Sequence, residues 1–116
     1  MTEKRHLYVI AEPGPLGTVR ACKIGIAKDP RDRLRSLQTG NWRKLKLAYI
    51  SPPCREFFDV ENSAHKRVVG NRLGGEWFSC DVRDAVAAVR LSYSEIVGVP
   101  KKPTLWQRLK GLFGQR

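Results

Sequence analysis

Five short groups along this chain carry side chains suited to binding and cutting a phosphodiester. They are Tyr8 within Leu7-Tyr8-Val9-Ile10, Lys23 within Lys23-Ile24-Gly25, Arg33, Glu61 with His65 four residues on, and Glu76-Trp77-Phe78. A carboxylate such as Glu61 is a hard ligand for Mg²⁺ or Mn²⁺ that keeps its waters. The planar fork of Arg33 matches non-bridging phosphate oxygens, and lysine would not replace it neutrally. Tyr8, Lys23 and His65 are candidates to orient or deprotonate an attacking water, and lysine serves as a base only where burial or nearby cations lower its pKa. Each residue also has a plainer explanation. Tyr8 could be a core aromatic, Arg33 a solvated helix side chain, and Glu61 with His65 a surface pair one helical turn apart.

The elements that would position these residues follow from punctuation and period. A β-branched and aromatic run over 6–11 stops at Glu12-Pro13-Gly14-Pro15, and a second strand pattern resumes over 18–26. In that second strand Val19, Ala21, Lys23 and Gly25 share one face, and Arg20, Cys22, Ile24 and Ile26 share the other. Asp29 reads as an N-cap, Pro30 as the first helical residue and Gly40 as the stop, which predicts a helix over 30–38. Leu45, Leu47 and Tyr49 alternate with polar or small residues before Ser51-Pro52-Pro53, a third strand with one buried face. From 56 to 69, Phe57, Val60, Ala64 and Val68 recur at helical spacing, and Phe58, Glu61, His65 and Val68 form a partly buried neighbouring stripe. Asp81 and Asp84 then begin a last amphipathic helix that ends near Gly98 and Pro100. The order predicts an α+β domain: a three-stranded antiparallel sheet flanked by helices.

Composition bounds the function. At 116 residues the chain suits one domain, here 1–98, followed by a basic tail, 99–116. Its 22 Lys and Arg against 11 Asp and Glu give a formal charge of +11, which makes nucleic acid the leading partner class. Cys22, Cys54 and Cys80 are odd in number and widely spaced, so neither a disulfide framework nor a zinc knuckle is expected. With no signal-peptide core and no apolar run long enough to span a bilayer, a cytoplasmic location is expected.

The order and spacing of the five groups resemble the GIY-YIG nuclease superfamily from about Leu7 to Val89. The closest likeness is to the branch with a Lys-Ile-Gly second motif and a Gly-Glu-Trp-Phe motif, described as meiotically up-regulated gene 113-like; Lys23-Ile24-Gly25 and Gly75-Glu76-Trp77-Phe78 carry it. The resemblance implies a metal-dependent endonuclease with Tyr8 and Lys23 at the two strand motifs, Arg33 as the helix arginine and Glu61 as the metal ligand. His65, one turn from Glu61, completes the implied catalytic set. Glu76 is read as supporting the site or capping local backbone, and Trp77 and Phe78 as packing residues. His6 stands where the superfamily pattern has a glycine, and Lys23 replaces its second tyrosine. A non-cleaving binding module on the same fold is therefore the alternative.

For binding, Arg31 and Arg35 flank Arg33 on its helix. Asn41-Trp42-Arg43-Lys44 sets an aromatic among cations, able to stack on a base while contacting phosphates, or else folded back over the sheet edge. DNA is expected ahead of RNA. In the tail, Leu105, Trp106, Leu109, Leu112 and Phe113 form a short amphipathic pattern that could dock on the domain, on a second copy or on an anionic surface. A homodimer is required for concerted double-strand cutting with one site per chain, and the sequence demonstrates none.

Overall fold

In the computed structural model, residues 3–98 are described; the tail pattern over 105–113 lies outside the described residues. Strand β1 (His6–Pro13) and strand β2 (Val19–Ala27) pair antiparallel, with Tyr8 opposite Gly25, Val9 opposite Ile24 and Ile10 opposite Lys23. Their connection turns at Pro15–Gly17, where Leu16 takes a φ of 56° and Gly17 one of 78°. Strand β1 is an interior strand, and its apolar run Leu7 to Ala11 is buried on both faces, which is why it lacks polar alternation.

The two faces bury different helices. Leu7, Val9, Ala11, Cys22 and Ile24 pack against α2 (Phe57–Arg67) and α3 (Val82–Ile96) through Phe57, Val60, Ala64, Ala85 and Val89. Tyr8, Ile10 and Ala27 point the other way, toward Leu34 and Leu37 of α1 (Pro30–Gln38). Helix α1 begins as its sequence predicts: Asp29 accepts from the Arg31 and Asp32 amides at 3.1 and 3.2 Å, with Pro30 in the first turn. Gly40, just beyond the helix, has a φ of 80°, the left-handed conformation a stop requires. Asp81 caps α3 in the same manner, accepting from the Arg83 amide at 3.0 Å.

Two expectations are corrected. The antiparallel sheet has five strands rather than three, in the order β3-β1-β2-β5-β4. Strands β4 (Arg72–Gly74) and β5 (Trp77–Phe78) form a hairpin on the free edge of β2, through Cys22 opposite Phe78 and Lys23 opposite Trp77. Strands of three and two residues separated by glycine leave no alternation long enough to read. The second correction concerns β3 (Lys46–Ile50), on the other edge of β1. Its register shifts, so that Ile10 faces Leu47 while Val9 faces Tyr49, and Ala48 is the extra residue. Leu47 therefore packs with α1 and Tyr49 with the opposite core, not on one shared face.

Phe78 anchors the hairpin, because its ring is fully buried between β2 and the α2–α3 layer. Phe78→Ala is expected to lower stability by about 3–5 kcal/mol, read as a shift of the urea midpoint.

Candidate active site

The Tyr8 ring lies directly on the backbone of its cross-strand partner, Gly25. A Cβ on residue 25 would fall 2.4 Å from the Tyr8 hydroxyl oxygen, 2.6 Å from Cζ and 3.0 Å from Oε1 of Glu76. Only glycine permits this crossing, which gives the Lys-Ile-Gly motif its physical meaning. The capped start of α1 brings Arg33 to the same point, where it hydrogen-bonds the buried phenol. Burial raises the Tyr8 pKa; the Arg33 hydrogen bond and charge oppose that rise without cancelling it. The group is a neutral phenol at physiological pH. With Arg33 donating to its oxygen, it keeps its own proton to donate onward.

Lys23 and Glu76 meet alongside. The Lys23 residue is only 7% exposed, and its ammonium lies 3.0 Å from Oε1 of Glu76 and 5.6 Å from the centroid of the Trp77 ring. Glu76 is placed by the sheet itself: the Ile24 amide donates to the Glu76 carbonyl at 3.1 Å, extending the β2–β5 ladder by one rung. Its side chain is 39% exposed, open to solvent on the side away from Lys23.

Glu61 reaches this group from α2. Its carboxyl pKa is raised to about 7, first by burial, then by the Glu76 charge and a hydrogen bond in which the protonated Glu61 donates to Glu76; Lys23 pulls the other way. The apolar stripe anticipated around Glu61 is only partly present, since Phe58 is 66% exposed while Val68 is buried. The carboxyl it meets belongs to Glu76, in the turn between β4 and β5, a neighbour absent from the helical pattern.

The structure thus brings Tyr8, Lys23, Arg33 and Glu61 into one cluster and adds Glu76, which the sequence set aside as a supporting residue. The available signal was Glu76's own motif, a carboxylate set between a glycine turn and two aromatic packing residues. His65 stands apart from the others in function. Its Nε2 lies 2.8 Å from the Ile24 carbonyl and its ring 5.0 Å from that of Phe78. Donation from Nε2 satisfies a carbonyl on the edge of β2 where β5 ends, and only Nδ1 is left to accept a proton.

The binding candidates are dispersed along the surface. Arg31 and Arg35 are exposed on α1, and Arg35 pairs with Asp32. Trp42 is 84% exposed, so it does not fold back over the sheet, and Arg43 stacks on it with Cζ 4.3 Å from the ring centroid.

A comparison with protein families matches the T5orf172 domain to residues 5–92. The chain belongs to the T5orf172 domain family. That family is GIY-YIG-like, and the matched span contains every residue of the cluster. No curated protein and no solved structure matches the chain. No helix among the described residues is long and apolar enough to cross a membrane.

In this T5orf172 domain, the donors available to a divalent cation are the Glu61 carboxylate and, beside it, that of Glu76. No group of three or more His, Cys, Asp and Glu placed to hold a metal occurs among the described residues. One or two hard oxygens suit Mg²⁺ or Mn²⁺, which keep waters and take further ligands from a phosphate. Two crowded carboxyls sharing one proton fit a cation better than they fit each other.

Two predictions follow from this geometry. In the T5orf172 domain kept metal-free with EDTA, the folded state holds the Glu61 proton up to about pH 7, whereas the unfolded chain releases it near the ordinary carboxyl value, 4.5. The folded state then binds more protons across that window, so this group's contribution to stability is complete below about 4.5 and is lost as pH rises through about 7. Glu61→Gln is expected to raise the melting temperature at pH 8 and to leave it nearly unchanged at pH 4.5; an equal shift at both would contradict the assignment. Gly25→Ala must push the Tyr8 ring and Glu76 aside, a loss of about 1–3 kcal/mol with the circular-dichroism spectrum retained.

Proposed function

We propose that this chain is a divalent-cation-dependent nuclease that hydrolyses phosphodiester bonds of nucleic acid, DNA ahead of RNA. We also place it in the branch of GIY-YIG-like domains whose second motif reads Lys-Ile-Gly. The observation that carries the reading is the convergence of Arg33, Tyr8 and the Glu61–Glu76 pair around Gly25, which sets a phosphate clamp, a hydroxyl donor and an acidic pair within one site.

The chain's own residues divide the work. Arg33, exposed beyond its contact with Tyr8, binds the non-bridging oxygens and holds the phosphate in line. Tyr8 donates its hydroxyl proton to the attacking water's oxygen or to a phosphate oxygen and so fixes the approach. Glu76, held beside Tyr8 by Lys23, accepts the proton as water adds to phosphorus; the bond to the leaving oxygen breaks and solvent water protonates that oxygen, giving a phosphate monoester and a hydroxyl. Glu61 is the ligand for Mg²⁺ or Mn²⁺, which when bound supplies Lewis-acid polarisation of the phosphoryl oxygen and charge for the leaving group. Lys23 acts as a fixed positive charge because it is committed to Glu76. His65 acts at one remove, by holding the Ile24 carbonyl and with it the strand between Lys23 and Gly25.

The test is cleavage of supercoiled plasmid, branched DNA and RNA with Mg²⁺ or Mn²⁺. Wild type is expected to cut, and Glu61→Gln, Arg33→Ala and Glu76→Gln are each expected to lose roughly 10²–10⁴-fold in rate. Undiminished cleavage by Glu61→Gln would overturn the ligand assignment. Salt-sensitive binding by wild type with no cleavage of any substrate would replace the nuclease by a non-cleaving binding module.

A further inference from the structure

About five residues along β1 from Tyr8, some 16 Å at a strand rise near 3.3 Å per residue, the loop after α1 presents Trp42 to solvent. An exposed tryptophan usually sits on a mobile loop, but here the loop is tied from within. Gln38 donates from Nε2 to the carbonyls of Asn41 and Arg43 at 2.9 and 2.7 Å, and accepts at Oε1 from the Leu45 amide at 2.8 Å. Asn41 accepts from the Arg43 amide at 2.9 Å. Arg43 then covers one face of the indole and pairs with Glu12 of β1 at 3.6 Å, so the ring's direction is set by a strand of the sheet. Trp42, 84% exposed, also lines a groove of about 430 Å³ with Pro13, Pro15, Arg20, Arg43 and Lys44. Arg43 is engaged by Glu12 and the indole. Arg20 and Lys44 are exposed at the groove.

We infer that this groove is a docking site for an unpaired stretch of nucleic acid, with a base stacked on the open face of Trp42 and its flanking phosphates on Arg20 and Lys44. A fixed indole face gains from stacking only on a base whose own face is free, and bases inside a duplex have both faces covered by neighbours. Stacking tolerates any base, so the site selects strand structure and not sequence. The inference rests on the nucleic-acid reading of the active site and narrows it: the substrate class is DNA with a single-stranded or flapped segment a few nucleotides from the phosphate held at Arg33.

The experiment is binding of a fluorescein-labelled oligothymidylate and of a blunt duplex of equal length, followed by fluorescence anisotropy in EDTA so that nothing is cut. Trp42→Ala is expected to weaken single-strand binding about tenfold or more while duplex binding stays within about twofold, and Trp42→Phe to retain most of the single-strand affinity. Because Trp42 is exposed, its removal leaves the fold intact, which the melting temperature checks. Equal losses for both ligands, no loss for either, or wild-type preference for the blunt duplex would overturn the proposal. The same preference in a wild type that cuts nothing supports the docking site while removing only the nuclease reading.

Discussion

The Tyr8 ring rests on the backbone of Gly25, where any side chain on residue 25 would fall within 2.4 Å of the phenol oxygen. Most of the structure can be traced to that contact. It needs Tyr8 and Gly25 opposite each other in the β1–β2 ladder, and a slip of one residue would turn Tyr8 into the α2–α3 core and Leu7 toward α1. It needs a buried phenol to have a partner, which Arg33 supplies from α1. It also leaves the space above Gly25 open to Glu76. One missing Cβ therefore couples both sheet faces and the hairpin at the sheet's edge.

Electrostatics then constrains what that space can hold. Two like charges about 4 Å apart repel by about 4 kcal/mol at an effective dielectric near 20, and burial adds a further desolvation term. Lys23 offsets part of this for Glu76, with which it forms the shorter contact, while Glu61 meets the remainder by keeping its proton to about pH 7. The β2–β5 ladder enforces the crowding, because the rung from the Ile24 amide to the Glu76 carbonyl fixes the Glu76 backbone beside Lys23. His65 contributes from the other side of the same residue by taking the Ile24 carbonyl. A two-residue strand, held by its pairing with β2 and by the buried Phe78, is thus what confronts Glu61 with a second carboxylate.

The helices and the first two strands were legible because local chemistry decides them: a capping Asp followed by Pro, a glycine stop, and a β-branched run bounded by Pro and Gly. The faces of β2 were legible for the same reason, as Cys22 and Ile24 alternate with Lys23 and Gly25. The β4–β5 hairpin was not, since its segments are shorter than any period and its stability comes from pairing with β2. Nor was the fate of Tyr49, which follows from a bulge at Ala48 that no pattern within β3 announces. The site shows the same division. Tyr8, Lys23, Arg33 and Glu61 could be gathered from motif order, but the raised pKa of Glu61 draws on Glu76, fifteen residues away and on another element. Helical periodicity credited Phe58 with shielding Glu61, and Phe58 itself faces solvent.

Lysine at position 23, where the superfamily pattern has a tyrosine, changes the charge balance more than the shape. With a neutral residue there, the pull that Lys23 exerts against the rise in the Glu61 pKa would be lost. The Lys23 ammonium pairs with Glu76 and pulls against the rise in the Glu61 pKa, which burial and the Glu76 charge still carry to about 7. On the nuclease reading, that raised pKa has a consequence for loading. Mg²⁺ or Mn²⁺ must displace a proton from Glu61 before the carboxylate can serve as a ligand, so affinity should fall as pH drops below about 7. A phosphate arriving on Arg33 adds negative charge beside the same carboxyl and opposes its ionisation until the cation is present. On that reading, a bound phosphate and a bound cation would each offset the other's charge at the site.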